Sequence, residues 1–497
     1  MFEKQILSPL RSVMTRFADR RAFFIREQSY TYGDLAGTVS GIRTELRDTP
    51  HAGRCIGLVT NDDLETYASI LALWLEGLAY VPLHPQHPVE RGEEIIRQAG
   101  IDLILDSSPV AMFPNLKNLN SKGLAGDPAN LEPAGAGDSD LAYILFTSGS
   151  TGKPKGVPIT RRNLGAFMQA FWKSGISLDE NDRCLQAFDL TFDVSVQAFL
   201  VPLVRGASVY TIPHDQIKYS YASELLEDQR LTFCVMAPSM IRFFRPYFEE
   251  IDLPDLRYNI LTAEASALEL VREWSVCVSN AEIYDFYGPT EATIYCTYSR
   301  FHRDRPNKEL NGMLSIGKPL DGITAIIIDE QGGILPPGQK GQLCISGDQV
   351  TSGYWQNPEK NRESFFETGV NGETLRFYKT GDLCYFDADG DIMYAGRMDF
   401  QVKIQGYRIE LGEIEHHARE ACQGRSVVAL TYENQVGSHE IALFVEGAEQ
   451  DFDALKQQLK LRLPSYMIPS KFMGVRQFPL NSSDKVDRKE LKKLISI

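Results

Sequence analysis

Short apolar runs punctuate the chain. Cys55 to Val59 and Ile101 to Leu105 read as buried strands, and they alternate with Leu64 to Glu76 and Val89 to Gln98, which read as helices. That alternation predicts βαβ units built around parallel sheet. The first twenty residues read as an amphipathic helix, and Asn118 to Asp138, rich in Gly, Ala, Pro, Ser and Asn, reads as a surface connector. Asn163 to Lys173 reads as a helix. The next stretch, FDLTFDVSVQ from Phe188 to Gln197, supports two readings. As a strand, its period of two puts Asp189 and Asp193 on one face. As a helix start, Asp193 is the N-cap of a segment running on to Leu203.

Further along, GQLCISG and SGYWQNPEKNRESF give a strand, a loop and a helix in a small β-rich subdomain, and the DADG run at 387–390 reads as a hairpin turn. Beyond it a compact α+β pattern is expected. It comprises a helix over 412–421, strands over 426–432 and 440–446, a helix over 452–461, a strand over 471–478 and a last helix capped by Asp487.

Composition narrows the class. With 497 residues the chain exceeds one ordinary core, since domains average about 150 residues. A net charge of −15 argues against a nucleic-acid backbone or an anionic membrane as main partner, and favours a monomer with at most weak protein contacts. The eight cysteines show no C-x-x-C and no spacing with histidine that suits a metal, so free thiols in a reducing cytoplasm are expected. Neither a secretory leader nor an 18-residue apolar run is present, so no export or membrane span is expected.

The chemistry concentrates in Tyr143 to Val157, YILFTSGSTGKPKGV. Gly149, Gly152 and Gly156 allow backbone N–H groups to converge on an anion; Thr147, Ser148, Ser150 and Thr151 add neutral donors, and Lys153 and Lys155 add charge. It is not a Walker A loop, because Thr147 stands at the first glycine and Pro154 where the magnesium hydroxyl belongs. An ordinary solvated Gly/Ser connector is the competing reading. Elsewhere, YGPTE at 287–291 is a turn with an acidic side chain, and Gly381-Asp382 a turn with another. Lys485 near the end reads as a solvated lysine, and His84 in AYVPLHPQHP reads as surface or structural with no partner in view.

Taken in order, these motifs resemble the adenylate-forming superfamily of acyl-CoA ligases, nonribosomal peptide adenylation domains and luciferase, and most of all its free-standing amino-acid adenylating members such as D-alanine:carrier-protein ligases. The resemblance runs from YTYGDL at 30–35 to Lys485. It implies a large α/β core over 1–397 and a small mobile α+β domain over 398–497. It also implies ATP and Mg2+, an aminoacyl-adenylate, and transfer to the phosphopantetheine thiol of a separate carrier protein.

Site roles follow by the same resemblance. Lys485, Glu291 and Thr147 are expected to be catalytic, with Glu291 holding the metal. ATP is expected on Thr147 to Lys153 and Lys155, on Ala263, Glu264, Tyr287, Gly288 and Thr290, and on Asp382 and Arg397. Asp193 is expected to pair with the substrate ammonium, in a side-chain pocket of Val194, Gln197, Met236, Leu261, Ala263, Phe286, Ile294 and Tyr295. Asp399 is the expected hinge and Gly406 lines the thiol tunnel. Three positions depart from the pattern: His84, Gln342 and Asp484 beside Lys485. An acyl-CoA ligase, which would have no need of Asp193, and a non-catalytic nucleotide-binding homologue are the alternatives.

Overall fold

The computed structural model describes residues 1–149, 152–434, 437–447, 451–480 and 486–495. The chain forms two compact units. The first comprises Met1–Pro85, Ile96–Leu145 and Gly156–Met398; the second comprises Gln86–Ile95, Phe146–Lys155 and Asp399–Ile497.

In the first unit a nine-stranded sheet has six parallel strands at its centre: Glu282–Tyr287, Tyr258–Leu261, Phe233–Met236, Arg183–Gln186, Ser208–Thr211 and Arg21–Ile25, in that spatial order. Antiparallel strands close both edges. A second sheet, six strands wide, pairs Cys55–Val59 in parallel with Ala79–Leu83 on one side and Leu103–Asp106 on the other. Both Cys55–Val59 and Ala79–Leu83 are buried at every residue, as parallel strands covered on two faces must be. The helix Leu64–Leu75 is likewise buried along its whole length, so it carries no polar stripe. It starts where the Asp63 carboxylate accepts the Thr66 N–H at 3.0 Å, and its Trp74 indole donates to the Ala142 carbonyl at 2.9 Å. A five-stranded antiparallel sheet includes the long strand Glu373–Phe386, and the expected 387–390 turn joins it to Ile392–Arg397. There Lys308 reaches Asp387, Asp389 and Asp391 at 2.7, 2.8 and 2.7 Å, which explains why three carboxylates tolerate one turn.

One expectation needs correction in this unit, and one open choice between two readings is decided. Asn118 to Asp138 is more than a connector: Lys117–Asn120 is an edge strand of the six-stranded sheet, Leu119, Ser121 and Leu131 are buried, and Gly126 donates to the Gly37 carbonyl. The Asp193 stretch is a helix, Asp193–Leu203, with Phe192 at the cap position, so Asp189 and Asp193 do not share a strand face.

In the second unit Val427–Glu433 and His439–Glu446 pair antiparallel, and Lys471–Val475 adds in parallel, ending three residues before the expected 478. Side chains alternate across this sheet. Val427 and Ala429 pack with the helices Leu411–Ala421 and Phe452–Lys460, while Val428 and Leu430 pack with Leu491 and Ile495 of the helix Arg488–Ile495. Asp487 caps that last helix, accepting from the N–H groups of Lys489 and Glu490. The hairpin Gln401–Ile404 and Tyr407–Glu410 turns through Gln405 at φ 53° and Gly406 at φ 81°, a two-residue turn with both φ positive that calls for glycine.

All eight cysteines are buried and unbridged, and burial raises the Cys55 thiol to about 11. Among the described residues no helix is long and apolar enough to cross a membrane.

Candidate active site

Glu291 is fully buried in a short 3-10 turn, Thr290–Ala292, that follows the strand Glu282–Tyr287. Its carboxylate accepts the Tyr354 hydroxyl at 2.6 Å, and that hydroxyl lies 3.2 Å from the Tyr378 hydroxyl. The exposed-turn alternative for this acid is thereby excluded. Four residues earlier, the Tyr287 hydroxyl donates to Asp382, and Asp382 also accepts from the Arg397 guanidinium at 3.0 Å. The Asp382–Arg397 pair is fixed by the register of the hairpin that carries it, since the two residues are direct cross-strand partners. Burial first, and then the Asp382 charge, hold the Tyr287 phenol well above its usual range. Gly288 fits because its Cα faces the Ile294 carbonyl and Tyr295, where a Cβ would collide.

Asp193 opens its helix, and Gln197 lies one turn later on the same face. Val194, Met236, Leu261, Phe286, Ile294 and Tyr295, expected to line the side-chain pocket, are all buried. Tyr80, Tyr143 and Tyr295 are buried near enough to Asp193 that its charge adds to the effect of burial in raising their phenols. Both amide atoms of Gln197 are buried with no hydrogen-bond partner among the described residues. Such a group costs stability unless a ligand satisfies it.

The backbone at three of the neighbouring positions is strained. Ala263, Thr293 and Ile294 take φ of 70°, 57° and 75°, and for β-branched residues that region costs about 1–3 kcal/mol each. Gln349 holds the segment in place. Its side-chain amide donates to the Tyr295 carbonyl at 2.7 Å, and its backbone carbonyl accepts the Thr293 hydroxyl at 2.5 Å. Neither the left-handed pair nor Gln349 was legible in sequence, because nothing local to VTSGYW or ATIY demands them.

The same unit holds a ladder of histidine–carboxylate pairs. His84, expected to be surface or structural with no partner in view, is structural: it is buried and pairs with Asp189 at 2.7 Å, and its ring lies 4.6 Å from that of His214, which pairs with Asp62 at 3.2 Å. Lys218 feels Asp189 and Glu264, yet burial outweighs both and draws its ammonium down to about 8. Glu264, expected on ATP, accepts the Ser239 N–H at 3.0 Å.

In the second unit the Gly149 N–H donates to Glu413 at 3.1 Å, and Arg91 donates to the same carboxylate at 2.7 Å. Ser148 donates to the Arg408 carbonyl and accepts from the Glu410 N–H, and Lys155 lies 3.6 Å from Glu410. Thr147 Oγ1 is buried without a partner among the described residues. Asp399 accepts the Gln401 N–H at 3.1 Å. Ser150, Thr151, Asp484 and Lys485 lie outside the described residues.

The family model described as "AMP-binding enzyme" matches residues 10–355. The chain belongs to that family. This AMP-binding chain is 32% identical over 99% of its length to zwittermicin A synthase ZmaJ of Bacillus cereus, covering 94% of that protein. It is 30% identical over 96% of its length to tyrocidine synthase 2 of Brevibacillus parabrevis, of which it spans only 13%. Its fold matches the Vibrio cholerae adenylation domain AlmE, solved with glycyl-adenosine-5′-phosphate, at TM-score 0.86 and 25% identity, over 98% of this chain and 97% of that one. It also matches PA1221, a nonribosomal peptide synthetase protein with adenylation and carrier domains, at TM-score 0.84 and 24% identity over 97% of this chain and 83% of that one. The AMP-binding chain is thus a mixed α/β member of the adenylate-forming superfamily, in its amino-acid adenylation group.

Proposed function

We propose that the chain activates an amino acid with ATP, forming aminoacyl-AMP and pyrophosphate, and passes the acyl group to the phosphopantetheine thiol of a separate carrier protein. The observation that carries the reading is Asp193, a buried carboxylate at a helix start among tyrosines and apolar walls. A carboxylate in such a place suits a substrate bearing an ammonium, because a charge-assisted hydrogen bond between the two is among the strong ones. AlmE's bound glycyl-adenylate and PA1221's carrier domain support the two halves of the reaction by analogy.

The residues suit a magnesium ion. Glu291 supplies one buried carboxylate, and Mg2+ is commonly held by one or two carboxylates together with substrate phosphates. Bound there, the ion would neutralise charge on the phosphates. The chain's own part is positional: Tyr354 orients Glu291, Tyr287 and Arg397 orient Asp382 toward the ribose hydroxyls, and the 147–155 loop cradles phosphate. Lys485 is assigned the charge growing between carboxylate and α-phosphate. The unit from Asp399 onward is assigned the motion that separates adenylation from thiol transfer, with Gly406 lining the thiol's path. The substrate is taken as a small or medium uncharged amino acid, since the cavity offers no second charge and Gln197 offers one polar contact.

Amino-acid-dependent exchange between ATP and labelled pyrophosphate, run over all common amino acids and several acids without an amine, tests this. Strongest exchange with an uncharged amino acid is expected. Activity confined to an acid lacking an amine would overturn it in favour of an acyl-CoA ligase.

A further inference from the structure

Two donors of the 147–155 loop that should meet phosphate, the Gly149 N–H and the Lys155 ammonium, face carboxylates of the same unit. Glu413, on the helix Leu411–Ala421, is fully buried; one oxygen accepts the Gly149 N–H at 3.1 Å and the other accepts the Arg91 guanidinium at 2.7 Å. Beside it Lys155 faces Glu410 at 3.6 Å, and Ser148 donates to the Arg408 carbonyl. A carboxylate offers two oxygens in a plane, as two oxygens of a phosphate do, and it satisfies a loop amide and a cation together. We propose that Glu413 is a built-in competitor for the phosphate cradle, and that Arg91 is a phosphate-binding residue which exchanges this carboxylate for an oxygen of ATP or pyrophosphate. The inference rests on reading the loop as the phosphate site.

Two physical constraints drive it. The Gly149 N–H has one hydrogen to give, so Glu413 and a phosphate cannot both hold it in the same geometry. Arg91 has a side chain only 7% exposed, and a buried guanidinium stripped of its anion is strongly disfavoured, so Glu413 can withdraw only when another anion takes its place. Binding of polyphosphate and the Glu413 contact are therefore mutually exclusive, and departure of pyrophosphate favours return of Glu413. That gives the second half-reaction a direction: the loop is refilled from within the chain, and the reverse reaction must displace an internal anion before pyrophosphate can enter.

Magnesium pyrophosphate and MgATP titrated calorimetrically into the full chain test the exchange, with Glu413→Gln and Arg91→Gln compared against wild type. Removing the competitor should tighten pyrophosphate binding about tenfold or more, and removing the cation should weaken it by a similar factor. Opposite signs are the signature, because mere loss of a structural ion pair would weaken both variants alike. Should Glu413→Gln fail to fold by its thermal melt, Glu413→Asp, whose shorter arm falls short of Gly149, should show the same sign with a smaller change. Equal or parallel effects in the two variants would overturn the proposal while leaving the phosphate loop assigned. Failure of wild type to bind either ligand would remove the loop assignment, and the proposal with it.

Discussion

Lys218 offers a sharp physical test of the buried ladder. Burial lowers its ammonium from 10.5 to about 8 even though Asp189 and Glu264 pull the other way. Below pH 8 both folded and unfolded chains carry the proton, and the folded state bears the whole cost of a poorly solvated charge. Above 10.5 neither form carries it and the cost is gone. Between these limits the unfolded chain binds more protons, so stability rises with pH through that window. At 1.36 kcal/mol per pH unit the fall corresponds to about 3 kcal/mol. Lys218→Met keeps the length of the stem and removes the titration. Urea unfolding at pH 7.5, 8.5 and 9.5 should give wild type a stability that climbs relative to Lys218→Met by about 2 kcal/mol across the range. The difference between the two proteins matters here, since tyrosines and other lysines titrate in both. If the two stability curves run parallel in pH, Lys218 is not the buried, depressed ammonium described.

Other perturbations address the proposed cycle. Lys485→Ala should cripple pyrophosphate exchange yet spare transfer from a pre-formed aminoacyl-adenylate; equal loss of both in a folded protein would remove its assigned role. Asp399→Pro fixes φ near −65° and should trap one state, so it should lose one half-reaction in single-turnover assays; normal rates in both would exclude this hinge. Gly406→Leu should block thiol transfer while exchange persists; because the turn needs positive φ, Gly406→Asn, which tolerates that region, serves as the backbone control and should retain more transfer. Gln349→Leu should loosen the Thr293–Ile294 turn, cutting discrimination between amino acids several-fold with little change in the KM for ATP, since the side-chain amide bonds to the Tyr295 and Ala292 carbonyls are lost at about 1 kcal/mol each while the backbone carbonyl that accepts the Thr293 hydroxyl stays.

The sequence was informative wherever the needed signal is local. Strand and helix periods placed Cys55–Val59 to the residue and Leu64–Leu75 and Val89–Ala99 to within one. The 387–390 hairpin and the Asp487 cap follow from short-range turn and cap chemistry, and the structure has both. What failed was long-range. FDLTFDVSVQ fits a strand and a helix equally, and the choice falls to burial, because Val194 to Leu203 is enclosed on all sides and no polar face is needed to decide the period. His84 looked unpartnered because its acid, Asp189, lies more than a hundred residues away. The edge strand Lys117–Asn120 was missed since KNLN alternates only once and carries a single buried side chain, Leu119.

The same distinction bears on function. Glycines, hydroxyls and lysines in one loop announce an anion site because the chemistry of phosphate needs several donors within a few residues. Selectivity has no such economy: the pocket proposed near Asp193 would draw on Gln197 from one helix, Met236 and Leu261 from two parallel strands, and Ile294 and Tyr295 from a strained turn braced by Gln349. Met236 and Leu261 are register partners at the ends of adjacent strands, so their side chains are set by the sheet and cannot yield to a larger ligand without shifting it. Ile294 is held less directly, through hydrogen bonds from the Gln349 side-chain amide to the Ala292 and Tyr295 carbonyls on either side of it. Substrate choice in this protein should therefore change most readily at the 293–295 turn and least at the two strand ends.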